Sequence, residues 1–219
     1  MKSDEALRLA RGARALGLVL ADAQVARLLD YLDALERWNR VVNLTAVRER
    51  GKMLGAHLLD SLAVVPHLAA ISRLSDLGSG AGLPGIPIAL ARPDVRVRLV
   101  EAREKKARFL RHVVRDLALT NVEVFAGRAE ALRAEHGEDV VVARALGRLA
   151  EIVRLAAPIL APHGRVLAMK GHLPQDELRE LPAGWRLAAV HRIEVPDLRA
   201  ERHLLVLEQS RPVADENGA

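Results

Sequence analysis

The sequence has no cysteine among its 219 residues. This absence excludes a disulfide framework, thiolate catalysis and cysteine-ligated zinc, and it fits a reducing compartment. Aromatic residues make up only 2% of the chain, so we do not expect nucleic acid to be recognised by an array of stacking platforms. The eight histidines are scattered and form no H-E-x-x-H motif, and a Walker phosphate loop is also missing. The sequence therefore gives little support for metal or nucleotide-triphosphate chemistry.

Long apolar runs are missing as well, since none approaches the roughly 20 residues that a transmembrane helix needs. Half of the residues are hydrophobic, which is enough to fill one core in a chain of this length. We therefore expect a soluble, cytoplasmic protein without a membrane partner. The 33 Lys and Arg residues exceed the 28 Asp and Glu residues, which gives a net charge of +5. That mild excess permits a nucleic-acid partner but does not identify one.

One stretch is instead rich in glycine, and it follows a short apolar run. Four glycines fall within eight residues, at Gly78, Gly80, Gly82 and Gly85. This pattern predicts a strand that turns sharply into a helix and lets a ligand approach bare backbone. The spacing also matches G-x-G-x-x-G, the dinucleotide fingerprint, and Glu101 lies at about the distance of the acid that holds a ribose.

Asp76, two residues before the first glycine, decides which ligand this loop favours. Its carboxylate would repel a pyrophosphate, at a cost of a few kcal/mol at an effective dielectric of ~20. A cationic ligand would be attracted, and S-adenosylmethionine carries a sulfonium and an ammonium but no phosphate. Pro84 supports this interpretation, because it removes an amide donor that a phosphate would use. We therefore expect S-adenosylmethionine rather than NAD.

The hydrophobic periodicity predicts helices first and alternating strands and helices afterwards. Helices are expected over 4–16, from Asp22 to Trp38 and over 48–65, the last stopped by Pro66. Strands are then expected over 74–77, 95–100, 122–125, 139–143 and 165–169, with helices from 84 and over 104–117, 149–160 and 175–180. Two final strands, 186–195 and 203–208, have no long helix between them. The pattern predicts an α/β fold with a doubly wound parallel sheet and an antiparallel hairpin at one edge.

Polar side chains fall at two places where such a fold could bind ligands. Asp76, Glu101, Arg144 and Lys170 lie at or just after strand ends, which is where open parallel sheets bind ligands. His57, Asp60 and Ser61 share one face of the third predicted helix. That trio is either a solvated or capping cluster or the lining of a substrate cleft. It does not have the geometry of a catalytic triad.

The predicted helix 104–117 carries a run of basic residues that includes Lys105, Lys106 and Arg108. Such a run is most often a solvated face, but it is also the best candidate in the chain for phosphate contacts. Gly127 to Glu130 follows the third strand, where it could border an adenine or simply start a helix.

Several motifs together resemble one known family in the order in which they occur. They are Trp38-Asn39, Asn43 to Ala46, His57 to Leu62, Asp76 to Pro87, Lys105-Lys106 with Phe109-Leu110, Gly127 to Glu130, Arg144-Ala145 and Lys170-Gly171. They are similar to the bacterial small-subunit ribosomal RNA guanine-N7 methyltransferases, the RsmG or GidB family, from about residue 30 to 208.

The resemblance implies a Rossmann-type class I methyltransferase. It divides the chain into an N-terminal helical cap over 1–70, a cofactor-binding domain over 71–210 and a tail over 211–219 that we expect to be flexible. The implied reaction transfers a methyl group from S-adenosylmethionine to N7 of one guanosine in 16S rRNA, with S-adenosylhomocysteine as product. The implied partner is 16S rRNA or the small ribosomal subunit, and we expect a monomer.

The resemblance also assigns residues. Matching motifs make Gly78, Leu83, Ala129, Glu130 and Arg144 cofactor contacts, and the loop and charge arguments add Gly80, Asp76 and Glu101. Substrate positioning would fall to Asp60, His57 and Lys170, and RNA binding to Lys105, Lys106 and Arg108.

Three alternatives remain at this point. The same fold could methylate another substrate, because the sheet alone does not determine the target. An NAD-dependent oxidoreductase is opposed by Asp76 and Pro84. A binding module could keep the fold and dock on ribosomal RNA without catalysis.

Overall fold

The computed structural model describes residues 2–210, so the predicted tail over 211–219 lies outside the described residues. Eight α-helices occur in this part of the chain. They are α1 (Lys2–Ala15), α2 (Asp22–Val42), α3 (Arg50–Met53), α4 (Asp60–Leu62), α5 (Gly85–Ala91), α6 (Glu104–Asp116), α7 (Leu149–Ala156) and α8 (Gln175–Arg179). A π-helical turn, Leu54–Leu59, joins α3 to α4.

Seven strands form one sheet in the order β3-β2-β1-β4-β5-β7-β6. The strands are β1 (Arg73–Leu77), β2 (Arg96–Glu101), β3 (Val122–Ala126), β4 (Glu138–Arg144), β5 (Leu160–Lys170), β6 (Trp185–Arg192) and β7 (His203–Gln209). Strands β1 to β5 pair in parallel, whereas β7 pairs antiparallel with both β5 and β6. The predicted parallel sheet with an antiparallel hairpin at one edge is confirmed.

Apolar side chains cover both faces of the sheet. One face packs against α2, the π turn, α5 and α6 in a single cluster that includes Leu32, Leu58 and Phe109. The other face packs against α7 through Leu149, Ile152 and neighbouring residues. The helices before residue 71 thus share one hydrophobic core with the sheet. The division of the chain at residue 71 stays a prediction.

The third predicted helix, 48–65, is the largest departure from the sequence prediction. It is broken into α3, the π turn and α4, and the 3₁₀ turn Val65–His67 follows, with Pro66 inside it rather than beyond it. Hydrophobic periodicity cannot reveal this, because a π turn widens the helix by one residue without changing which residues are apolar. His57, Asp60 and Ser61 are nevertheless all buried. Of the alternatives for this trio, the solvated cluster is therefore wrong.

Smaller differences concern where elements end. The predicted helix 149–160 stops at Ala156, a 3₁₀ turn follows over Ala157–Ile159, and β5 starts at Leu160 instead of residue 165. Glu138 pairs with Leu160 before the register shifts, which brings these residues into the strand. Strand β6 ends at Arg192, earlier than predicted, and a ten-residue loop returns to β7.

The strand order reverses between β1 and β4, whose following connections run to opposite sides of the sheet. Ligands of doubly wound sheets bind at such a switch point, beyond the carboxyl ends of the strands. Asp76 lies near the end of β1 and Arg144 ends β4. Over residues 2–210, no helix has the length and apolar character needed to cross a membrane.

Candidate functional site

The glycine loop leaves β1 at the switch point and is held by hydrogen bonds that its amides donate to the neighbouring strand β2. The amide of Ser79 donates to the carbonyl of Val100 at 3.0 Å, and the amide of Gly80 donates to Oε2 of Glu101 at 2.9 Å. Gly80 has a φ of 59°, in the left-handed region that favours glycine. Gly78 is exposed and Gly80 half-buried, whereas residues 81–85 are buried, so the start of the loop is the part with backbone at the surface. The approach of a ligand to this backbone stays a prediction.

The last glycine of the motif has a different role. A Cβ on Gly85 would lie 2.3 Å from Cδ2 of Leu99 and 2.8 Å from Oδ2 of Asp76. Gly85 thus lets the first turn of α5 pack directly on the strands. Leu83 is also buried, so its side chain belongs to the core beneath the loop. Gly78, with a φ of 69°, makes the sharp turn at the end of β1.

Asp76 lies fully buried under the loop. Its Oδ2 accepts the amide of Gly85 at 3.0 Å, while Oδ1 has no hydrogen-bond partner among the described residues. Burial raises the pKa of Asp76 to about 7, although the Gly85 amide and the Arg144 guanidinium oppose the rise. A positive charge bound at the loop would favour the ionised form. Its predicted contact with the cofactor stays a prediction, because the carboxyl group is enclosed.

Glu101 ends β2, as expected, and both of its carboxylate oxygens are engaged. Besides the bond to Gly80, Oε1 accepts the amide of Arg103 at 2.7 Å. Each oxygen retains a further lone pair that can accept a hydroxyl. The structure thus leaves Glu101 able to hold a ribose next to the glycine loop.

The basic residues on α6 do not form one uniform surface. Lys105 and Arg108 are exposed, and Arg108 pairs with Glu104 at 3.3 Å. Lys106 turns towards the glycine loop, because a Cβ built on Gly80 would lie 3.8 Å from its Nζ. Lys106 therefore borders the predicted cofactor site, which distinguishes it from Lys105.

The turn after β3 lies at the surface. Ala129–Ala131 is a single 3₁₀ turn, in which Glu130 is exposed and pairs with Arg128 at 3.0 Å. The hydrogen bond from Arg128 lowers the pKa of Glu130. Ala129 packs at the margin of the core on the α7 side.

A second group of residues forms a cleft of about 440 Å³ between the π turn and the ends of β4 and β5. It is lined by Val47, Ala56, His57, Asp60, Arg144, Ala145, Met169, Lys170, Gly171 and Arg202. Asp60 is buried at its base, where Oδ2 accepts NH1 of Arg144 at 2.9 Å and Oδ1 accepts Nε of Arg202 at 2.7 Å. Two guanidinium groups facing one carboxylate leave this cleft with a net positive charge.

His57 is buried at the side of the same cleft. Its Nε2 lies 2.9 Å from Oγ1 of Thr45, whose amide donates to Oδ1 of Asn39. Nδ1 has no hydrogen-bond partner in the part of the chain that the structure describes. Desolvation lowers the pKa of His57, and the Arg144 guanidinium acts in the same direction. His57 is therefore disposed to be neutral.

Lys170 ends β5, as predicted, with its ammonium group firmly held. Nζ donates to Oε2 of Glu177 at 2.8 Å and to the carbonyl of Gly147 at 2.7 Å. The side chain thus fixes the loop after β4 against α8, and its charge is balanced by Glu177.

Two side chains at these sites were not predicted from the sequence. Arg202 ends the loop between β6 and β7, and its position just before the last strand is the signal that could have identified it. Tyr31, the single tyrosine of the chain, donates its hydroxyl to the carbonyl of Ala81 in the glycine loop at 2.7 Å. A tyrosine within the apolar stripe of a helix indicates such a bond, because a buried hydroxyl needs a partner.

A larger hollow of about 660 Å³ lies at the opposite edge of the sheet, by the amino ends of β1 to β4. Charged side chains line it, among them Arg73, Arg98 and Glu138. Arg98 pairs with Glu138 at 2.6 Å, and Nε of Arg73 donates to the carbonyl of Gly137 at 3.0 Å. The glycine loop and the cleft around Asp60 lie at the carboxyl edge of the sheet instead. No group of three or more potential metal ligands occurs within residues 2–210.

Comparison with known proteins gives one consistent family. The model of the GidB family, described as rRNA small subunit methyltransferase G, matches residues 24–205. Curated proteins called ribosomal RNA small subunit methyltransferase G are similar over nearly the whole chain. The Ralstonia nicotianae protein is 47% identical over 95% of this chain and 97% of its own length, and the Nitrosospira multiformis protein is 48% identical over 94% and 98%.

Solved structures with lower identity share the fold. The glycopeptide N-methyltransferase MtfA in complex with S-adenosylmethionine has a TM-score of 0.61 at 12% identity, and the match covers 70% of this chain and 95% of MtfA. TrmN from Thermus thermophilus has a TM-score of 0.53 at 22% identity, with 78% of this chain and 53% of TrmN covered. At these identities the likeness supports the class I methyltransferase fold alone.

Proposed function

The chain belongs to the rRNA small subunit methyltransferase G family, and from this membership we propose that it transfers a methyl group from S-adenosylmethionine to N7 of one guanosine in 16S rRNA. The observation that carries the proposal is the glycine loop with two carboxylates beside it, next to a cationic cleft. We further propose that the enzyme acts as a monomer in the cytoplasm.

The residues at the switch point suit a cationic cofactor. Asp76 places a carboxyl group with one unpartnered oxygen beneath the loop, and Glu101 offers acceptors for hydroxyl groups at its edge. Gly78, Gly80 and Leu83 would shape the loop, and Ala129, Glu130 and Arg144 would border the cofactor by family resemblance. S-adenosylmethionine, when bound, supplies an activated methyl group on a positively charged sulfur.

The cleft suits an anionic or hydrogen-bond-accepting substrate group. Guanine N7 carries a lone pair and no proton, so methylation there requires no general base. Alignment is then the main contribution of the protein. We propose that Asp60 holds Arg144 and Arg202 in place, and that these guanidinium groups bind guanine O6 or a neighbouring phosphate while N7 stays free.

His57 and Lys170, which line the same cleft, would help to position the substrate. His57 contributes a neutral, enclosed imidazole. Lys170 fixes the wall formed by the loop after β4. For RNA outside the cleft, we propose that Lys105 and Arg108 contact phosphates, with Lys106 at the boundary between RNA and cofactor.

The test is transfer of labelled methyl from S-adenosylmethionine to small ribosomal subunits that lack the modification, followed by identification of the labelled nucleoside. We expect 7-methylguanosine at one site. Glu101→Ala should raise the cofactor KM by tenfold or more. The matched control is Glu123→Ala, which removes an exposed glutamate at the amino end of the next strand and should leave the cofactor KM unchanged.

Two outcomes would contradict the proposal. Label in a different nucleoside would retain the methyltransferase and reject guanine N7 as the target. Cofactor binding without label in any ribosomal RNA would point to another substrate, or to a relative that binds RNA without catalysis.

A further inference from the structure

Helix α2 contacts the glycine loop through the hydroxyl group of Tyr31. Tyr31 is fully buried, and its hydroxyl donates to the carbonyl of Ala81 at 2.7 Å. Ala81 is itself buried and lies between Gly80 and Gly82, both of which have positive φ values. The Ala81 carbonyl shares one peptide group with the Gly82 amide, which donates to the Ser79 carbonyl at 2.7 Å. Because glycines on both sides allow this peptide group to reorient, the bond from Tyr31 restrains its carbonyl end.

The remaining bonds of the loop come from within the sheet or the loop itself. The amides of Ser79 and Gly80 donate to β2, and the amides of Gly82 and Leu83 donate to the carbonyl of Ser79 at 2.7 and 3.0 Å. These bonds satisfy amide groups near the strand. The bond from Tyr31 instead holds a carbonyl on the side that faces the N-terminal helices.

Helix α2 is anchored independently of this bond. Nε2 of Gln24 donates to the carbonyls of Leu90 and Ala91 at the end of α5, at 3.0 Å each. Arg27 donates to the carbonyl of Leu117 beyond α6. The helix is thus fixed to the helices that cover the sheet, and Tyr31 extends from a rigid support.

From this geometry we infer that Tyr31 is a positioning residue, whose hydroxyl holds the glycine loop in the conformation that receives the cofactor; this inference rests on the proposed function. Without the hydroxyl, the buried Ala81 carbonyl loses its partner, which destabilises the observed loop conformation relative to conformations that expose this carbonyl and break the bond from the Gly82 amide to Ser79. The fraction of protein whose loop can bind the cofactor then falls, and the apparent Kd of the cofactor rises in inverse proportion to that fraction.

The test compares Tyr31→Phe, which removes only the hydroxyl, with Gln24→Met, which removes donors from the same helix to carbonyls outside the loop. For Tyr31→Phe we expect the Kd of S-adenosylmethionine to rise about two- to tenfold, the range that one net hydrogen bond provides. The kcat at saturating cofactor and the KM for RNA should stay unchanged. Gln24→Met should lower stability towards urea and leave the cofactor Kd as it is.

A second readout needs no cofactor. Hydrogen exchange at the amides of Gly82 and Leu83 in the free protein should be faster in Tyr31→Phe than in the wild type, and unchanged in Gln24→Met. Equal Kd and equal exchange in wild type and Tyr31→Phe would overturn the inference and leave the hydroxyl a purely structural role. A wild type that neither binds the cofactor nor transfers methyl would refute the proposed function, and loop exchange would still show whether the hydroxyl orders the loop.

Discussion

Replacing Asp76 with asparagine should change how stability depends on pH. The variant keeps an acceptor for the Gly85 amide and removes the titratable group. In the folded protein the pKa of Asp76 is raised by burial from 3.8 to about 7. Between these values the folded chain keeps a proton on Asp76 that the unfolded chain has lost. The free energy of unfolding therefore falls as pH rises through this window.

The structure sets the size of this effect. At about 1.4 kcal/mol per pKa unit, the shift from 3.8 to about 7 corresponds to a change of about 4 kcal/mol in the free energy of unfolding. Between about pH 5 and about pH 8, where nearly all unfolded Asp76 is ionised, the wild type should lose about 2.5 kcal/mol through this group. Asp76→Asn should lack that loss. Any fixed cost of placing an amide under the loop is the same at both pH values and cancels in the comparison.

The assay is urea unfolding of wild type and variant at both pH values, with the four free energies combined in a double difference. Titration of His57, Glu138 and other groups cancels as well, because they are present in both proteins. A double difference near zero would refute the argument that burial of Asp76 dominates its ionisation. In the wild type, cofactor affinity should rise with pH up to about 7, since a cation favours the ionised carboxylate; in the variant it should be flat.

Three further predictions concern other parts of the molecule. Arg50 binds carboxylates of both α1 and α2, and Arg50→Met should reduce the free energy of unfolding by about 1–2 kcal/mol in urea titrations, because three partly buried carboxylates lose their shared cation. At saturating cofactor, kcat should stay constant down to about pH 6, because N7 needs no base. A fall at the usual histidine pKa would contradict this, and a fall below it would implicate His57, whose pKa is lowered by burial. Replacing Lys105 with Ala should reduce the slope of log affinity for RNA against log salt concentration by somewhat less than one unit. An unchanged slope would show that Lys105 contacts solvent and not an RNA phosphate.

The sequence predicts most of the sheet because alternating strands and helices leave strong local patterns. Except for β5, which starts five residues early, the strands of the parallel part begin and end near the expected residues. Asp76, Glu101, Arg144 and Lys170 all lie at or near carboxyl ends. Each of these positions follows from one rule, that ligand-binding residues of open parallel sheets lie at the carboxyl ends of the strands.

The cleft could not be predicted in the same way. Asp60 and Arg202 are 142 positions apart, and their pairing depends on where the antiparallel hairpin returns to the sheet. The π turn that orients His57 has no signature in hydrophobic spacing. Resemblance to a family marked His57 and Asp60 as candidates, but no local pattern indicates that both oxygens of Asp60 are bound to arginine.

Arg144 connects the two parts of the site. It binds Asp60 in the cleft. Burial is the main cause of the raised pKa of both Asp76 under the loop and Tyr31 on α2, and the charge of Arg144 lowers both pKa values. A phosphate or guanine bound to this guanidinium would weaken the electrostatic effect of Arg144 on Asp76 and raise the pKa of that carboxyl group further. A cation at the loop would have the opposite effect on Asp76. Under the proposed function, cofactor and substrate would thus act in opposite directions on the ionisation of Asp76, and binding of one would alter the affinity for the other.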